Sequence, residues 1–181
     1  MIRRLLALYK ISLLASLTLA VVLIAVKVVK DPLSIAFIII AVLLGTFVLD
    51  LDYFIYAYFL EPEADFSRTL VAFVKHKDIL NAFQYIEYHK KEMGERTLHS
   101  VVFQLVLVGA VIFSVSAATS VFIKALILSI YVNSIYRLIE LYITDDFEEW
   151  FWALKTKPTK PKVLIYIFVL VGILVYCLTI F

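Results

Sequence analysis

The feature that most constrains this chain is a series of long segments that carry no charge. Residues 33–49 and 100–123 contain no Asp, Glu, Lys or Arg. A helix that crosses the hydrocarbon core needs about 20 mostly apolar residues. The whole chain is 64% hydrophobic and 18% charged, whereas soluble domains carry about 45–50% apolar and about 25% charged residues. These segments predict an all-α, polytopic transmembrane bundle.

We predict one integral membrane domain over residues 1–181 with about five spans, at 5–29, 33–58, 99–116, 119–141 and 163–181. As one helix, residues 100–141 would be about 63 Å long, twice the thickness of the bilayer core. They therefore form two spans, with the turn expected in Ser114–Ser120. Arg3 and Arg4 before the first apolar run resemble a signal peptide, but the run continues through Val26 and favours an uncleaved anchor.

The polar segment 61–98 is expected to form one or two amphipathic helices between Phe66 and Met93. Apolar residues such as Leu70 and Phe83 recur there at helical spacing among charged ones. Such helices lie on the membrane surface or cap the bundle, and this segment is the candidate surface for a protein partner. Aromatic residues beside the spans, including Tyr53, Trp150 and Trp152, are predicted to lie at the lipid headgroups.

The distribution of basic residues predicts the orientation. With the N-terminus in the cytoplasm, 14 of the 17 Lys and Arg residues lie inside and three, Lys27, Lys30 and Lys124, lie outside. The positive-inside rule therefore predicts a plasma or inner membrane protein with a cytoplasmic N-terminus and an external C-terminus. A net charge of +2 and the lack of a basic run with interleaved aromatics argue against nucleic acid as a partner.

This topology brings five polar residues to one membrane depth on the cytoplasmic side: Asp50, Asp52, His99, Arg137 and Glu140. Ionisable groups at the edge of a bundle are costly and mark candidate functional sites. We expect Asp50, Asp52 and His99 to bind Mg²⁺, Mn²⁺ or Zn²⁺. Glu140 would act as a further ligand or general base, and Arg137 would bind an anionic substrate.

A structural interpretation of the same residues stays open. Arg137 can pair with Asp50 or Asp52 between helices, and His99 can serve as a helix-start residue. Under that interpretation the chain is a non-catalytic scaffold, and residues 61–98 bind a partner. A transporter is a weaker alternative, because no span carries a charge at its midplane.

Two short motifs resemble a known family. Gly45–Tyr53 (GTFVLDLDY) is similar to the GxLLPDxDH signature of predicted bacterial membrane-bound metal-dependent hydrolases, and Arg96–Ser100 (RTLHS) resembles the second half of the HRGxTHS element of that family. A later SHLxxD helix of the family would correspond to Ser134–Glu140. The resemblance implies a site for a divalent metal and hydrolysis of a membrane-associated ester or phosphoester.

The chain departs from these motifs at several positions. Leu49 stands where the family has proline, Tyr53 where it has the histidine after the second aspartate, and Tyr136 and Glu140 where it has histidine and aspartate. Asp50, Asp52 and His99 match the family motifs, and Glu140 matches only as a substitute carboxylate. Several ligands of the family are therefore replaced.

Overall fold

A computed structural model describes residues 9–27, 30–89 and 97–181. The all-α prediction is confirmed, since these residues form helices and no strand. In chain order the elements are α1 (Lys10–Lys27), α2 (Pro32–Val48), α3 (Leu51–Ile55) with a π-helical continuation (Tyr56–Leu60), α4 (Asp65–Lys75), α5 (Ile79–His89), α6 (Val101–Ser116), α7 (Val121–Thr144), a 3-10 turn (Phe147–Phe151) and α8 (Lys160–Ile180).

Three of these helices, α1, α7 and α8, are long and apolar enough to cross a membrane. A fourth candidate is bent, because α2 and the α3–π segment together are long enough but differ in direction by 43°. Helix α6 has 16 residues, about 24 Å, which is shorter than the bilayer core. Within the described ranges the count is thus three to four, fewer than the five predicted. The prediction missed the bend and began the third span before the helix starts.

Side chains that cap the helices explain where they begin. Asp31 precedes Pro32 and accepts hydrogen bonds from the Ser34 amide at 2.9 Å and the Ser34 hydroxyl at 2.7 Å. Ser100 and Ser120 cap α6 and α7 in the same way. The chain therefore breaks at Asp31–Pro32, and the turn between α6 and α7 lies at residues 117–120.

Helices α2 and α7 form the most extensive helix pair, and they meet through small residues. A Cβ atom at Gly45 would lie 2.6 Å from Ser129 Cβ and 2.7 Å from Ser129 Oγ. The Ser129 hydroxyl donates a hydrogen bond of 2.7 Å to the Val42 carbonyl. Small residues and interhelical hydrogen bonds are the usual means by which membrane helices associate.

Helix α1 joins this pair through a buried polar contact. Thr46 Oγ1 donates to Ser16 Oγ at 2.8 Å, and Asn133 Nδ2 donates to the same oxygen at 2.9 Å. All three side chains are buried. One serine thus links α1, α2 and α7 within the bundle.

A second, smaller core lies beyond the end of α2. It is built from α3, its π-helical continuation, α4 and α5, and its buried members include Tyr53, Tyr56, Phe66, Leu70 and Ile86. In its described part, the amphipathic segment forms two helices, joined by a turn in which Lys77 has a φ of 59°. The predicted continuation toward Met93 lies outside the described residues, as do residues 5–8 and 28–29 of the predicted first span.

Candidate functional site

Asp52 lies at the centre of the polar cluster and is fully buried. Its Oδ2 atom accepts hydrogen bonds from the Leu98 amide at 2.8 Å, the His99 amide at 3.0 Å and the His99 ring. Its Oδ1 atom accepts from the Thr97 amide at 3.1 Å. A carboxylate offers about four lone-pair positions. Three N–H groups therefore converge on Oδ2 and one on Oδ1.

These bonds determine where α6 begins. The amides of Thr97, Leu98 and His99 point to Asp52, so they are held outside the helix. Ser100 then caps α6 by accepting from the Phe103 amide at 3.2 Å, while its hydroxyl donates to the Thr97 carbonyl at 2.7 Å. Asp52 thus ties the entry to α6 to helix α3.

His99 is buried among aromatic side chains. Its Nδ1 atom lies 3.0 Å from Asp52 Oδ2, and because a carboxylate only accepts, Nδ1 carries the proton. The Tyr53 ring lies 5.5 Å from the imidazole, and the Trp150 ring meets it edge-on at 6.1 Å. Trp150 Nε1 in turn donates to Gln104 Oε1 at 3.0 Å. The imidazole is therefore fixed in orientation and 4% exposed.

Arg137 of α7 forms the second half of the cluster. Its Nη2 atom lies 3.7 Å from Asp50 Oδ1, and its Nη1 atom donates to Glu140 Oε2 at 2.9 Å. Asp50 is 2% exposed and follows the last turn of α2. The positive charge of Arg137 offsets the negative charge of both carboxylates. It also offsets the negative end of the α2 helix dipole.

The predicted site residues thus fall into two contacts. Asp52 pairs with His99, and Arg137 joins Asp50 to Glu140. Within residues 9–27, 30–89 and 97–181, no group of three or more His, Cys, Asp or Glu side chains has the arrangement of a metal site. In this geometry Asp52 orients His99 and Arg137 occupies the position between the other carboxylates. Metal binding by Asp50, Asp52 and His99 stays a prediction.

Three residues of the cluster were not predicted as part of it. Tyr53 and Trp150 were assigned to the headgroup belt, but they are 2% and 0% exposed and lie against His99. Gln104 is fully buried in α6 and holds the Trp150 indole. The sequence signal for this role of Gln104 is that a glutamine occurs in an uncharged helix. A buried amide needs a hydrogen-bond partner, so such a glutamine indicates a polar contact inside the bundle.

Comparison with protein families, curated proteins and solved structures gave no match. The resemblance to metal-dependent hydrolases rests on the two short motifs. Asp52 and His99, one from each motif, are in contact at 3.0 Å, whereas Arg96 of the second motif lies outside the described residues.

Proposed function

We propose that this chain is a non-catalytic membrane scaffold. The charged cluster fixes the ends of the helices, and the 61–98 segment binds a protein partner on the cytoplasmic side. The observation that carries the proposal is the set of four N–H groups that Asp52 accepts, three at Oδ2 and one at Oδ1. Because a metal ligand needs a free lone pair, metal binding through Oδ2 would require these bonds to break.

The electrostatics of Asp50 and Glu140 agree with this role. Arg137 is within ion-pair distance of both carboxylates, and its side chain is 13% exposed. Breaking a buried ion pair leaves an uncompensated charge, which is strongly unfavourable. The ion pair of Arg137 with Asp50 therefore holds α7 to the end of α2, which is a structural role.

In the proposed topology the N-terminus is cytoplasmic, the C-terminus is external and the chain crosses the membrane five times. Support for the fifth crossing comes from α6, which packs against both α7 and α8. Its start is bonded to Asp52, near the Arg137 end of α7, and its other end leads directly into α7. Local thinning of the bilayer accommodates a span of 16 residues.

A metal analysis tests the structural role of the cluster. Chain purified without chelators should contain no stoichiometric Mg²⁺, Mn²⁺ or Zn²⁺, and adding each ion should leave the unfolding temperature unchanged, because a ligand that binds the folded state raises it. About one metal ion per chain, lost when Asp50→Ala and His99→Ala are combined, would refute the scaffold assignment.

Site-specific photocrosslinking tests the proposed partner surface. A crosslinking residue at Tyr88 of α5, which is 74% exposed, should give a discrete protein adduct in cells. The matched control is Phe113 of α6, which is 71% exposed and lies on an apolar helix. If both positions give only lipid adducts, the partner surface is not on α5.

A hydrolase without bound metal is the second candidate, and the contact between Asp52 and His99 favours it. A carboxylate that fixes the Nδ1 proton of a histidine leaves the other ring nitrogen as the basic one. Arg137 would then bind the anionic group of a membrane-associated ester or phosphoester. This candidate predicts ester or phosphoester hydrolysis that His99→Gln abolishes without loss of fold, whereas the scaffold shows no such activity.

A further inference from the structure

The segment that leads into α8, residues 152–162, is rich in basic residues and is not helical before Lys160. Its sequence, WALKTKPTKPK, contains four lysines and no acidic residue. Pro158 disfavours helix at the residue that precedes it, and Pro161 lies in the first turn of α8, which begins at Lys160. We call residues 152–162 the juxtamembrane segment, because the helix that follows is long and apolar enough to enter a membrane.

The four lysines are exposed, and the neighbouring acids neutralise few of them. Lys160 pairs with Asp145 at 2.8 Å, and Lys157 donates to the Phe151 carbonyl at 3.0 Å. Lys155 and Lys162 have no carboxylate within 4 Å and no side-chain hydrogen bond in the part of the chain that the structure describes. The remaining acids nearby are Asp146, Glu148 and Glu149, which precede the segment in the 3-10 turn and its cap.

Apolar groups in the same segment favour contact with a membrane surface. Leu154 is 42% exposed, and Trp152, half-buried beside it, is of the residue type that occupies the headgroup region. Exposed apolar residues of α8, including Ile165 and Phe168, follow directly. Clusters of lysine beside a membrane helix attract anionic lipids electrostatically.

We propose that the juxtamembrane segment binds the phosphate groups of anionic phospholipids, with Lys155 and Lys162 as the principal contacts. Lys160 contributes less because Asp145 neutralises its charge, whereas Lys157 keeps its charge but donates to the Phe151 carbonyl. The exposed Leu154 side chain lies at the boundary between headgroups and acyl chains. This proposal is independent of the scaffold role, because it concerns a different surface from the 61–98 segment.

Native mass spectrometry of the full chain in detergent tests this site. Equimolar phosphatidylglycerol and phosphatidylcholine are added, and the retained lipid is counted. The chain should retain phosphatidylglycerol preferentially. Combining Lys155→Gln with Lys162→Gln should lower that retention roughly 25-fold, because each lysine near an anionic surface contributes roughly fivefold in affinity.

Two further variants make the result specific. Lys155→Arg with Lys162→Arg keeps the charges and should keep the lipid. The matched control, Lys75→Gln with Lys77→Gln, removes two exposed lysines, one at the end of α4 and one in the turn that follows, and should have little effect. Equal retention of both lipids, or an equal loss in the control, would overturn the proposal. Displacement of the lipid by poly-glutamate at equal charge would also overturn it and point to an acidic protein.

Discussion

The Nδ1 atom of His99 lies 3.0 Å from the Oδ2 atom of Asp52, and 47 positions separate the two residues in the sequence. The same carboxylate oxygen also accepts the His99 backbone amide at 3.0 Å. One side chain of α3 thus fixes both the imidazole and the backbone that leads into α6. This double attachment makes Asp52 the residue on which the geometry of the cluster depends.

Replacing Asp52 by Asn should destabilise the protein by about 3–5 kcal/mol, the cost of breaking a buried charged pair. The amide keeps one acceptor oxygen but places an NH₂ group against the N–H donors of residues 97–99. Thermal or denaturant unfolding in detergent measures the loss. Asp65→Asn, at an exposed position in the first turn of α4, should change stability by less than about 0.5 kcal/mol. Equal stability of the two variants would contradict a structural role for Asp52.

Arg137→Gln should destabilise the protein by about 3 kcal/mol, because it removes a cation that faces the buried Asp50 carboxylate. The value lies at the low end of the usual range, since the Arg137–Asp50 distance is 3.7 Å. Adding Asp50→Asn to Arg137→Gln should recover part of the loss, since the buried charge that Arg137 faces is then also removed. Unfolding of the single and double variants measures this coupling.

Arg68→Gln provides the control for Arg137. Arg68 also pairs with a carboxylate, that of Glu63, but both side chains are largely exposed. Water screens such pairs, and they contribute little to stability. A loss at Arg68 as large as the loss at Arg137 would show that burial does not determine the effect.

The features that sequence predicted well are those that local chemistry determines. The second span was predicted to begin at residue 33, and α2 begins at Pro32, because proline is a local signal of a helix boundary. Asp50 and Asp52 are two positions apart, and on a helix this spacing turns side chains in different directions. In the structure Asp50 faces Arg137 of α7, and Asp52 faces the entry to α6.

Features that depend on tertiary contacts were not predictable in the same way. The bend between α2 and α3 carries neither proline nor glycine at its break, so the sequence around Leu49 reads as a continuous span. In the sequence Trp150 resembles a headgroup anchor, but in the structure it is buried against His99 and Gln104. Burial of this kind follows from how helices pack and leaves no periodic pattern in the sequence.

The start of α2 should depend on pH through Asp31, which precedes the candidate span. Hydrogen bonds from Ser34 lower the pKa of Asp31 below its ordinary value of 3.8. A lowered pKa in the folded state means that the cap contributes stability above the pKa of the unfolded chain. That contribution is lost as pH falls through the folded value, so α2 should begin to fray below about pH 4.

The Ser34 amide resonance, followed by NMR as pH is lowered, reports this transition. Asp31→Asn should abolish the titration, because asparagine caps a helix without an ionisable group. A Ser34 titration that persists in Asp31→Asn would assign the effect to another group.

Gly45→Ala should destabilise the protein by about 1–3 kcal/mol, the usual cost of overpacking. The added methyl group would lie 2.6 Å from Ser129 Cβ and 3.0 Å from the Leu126 carbonyl oxygen, so α2 and α7 must separate. Gly109→Ala is the control, because nothing lies within 4 Å of a Cβ there; it should be neutral or slightly stabilising. Ser129→Gly should relieve part of the Gly45→Ala loss by removing the nearest atoms. If Gly45→Ala and Gly109→Ala unfold at the same temperature, α2 and α7 do not pack as closely as the structure has them.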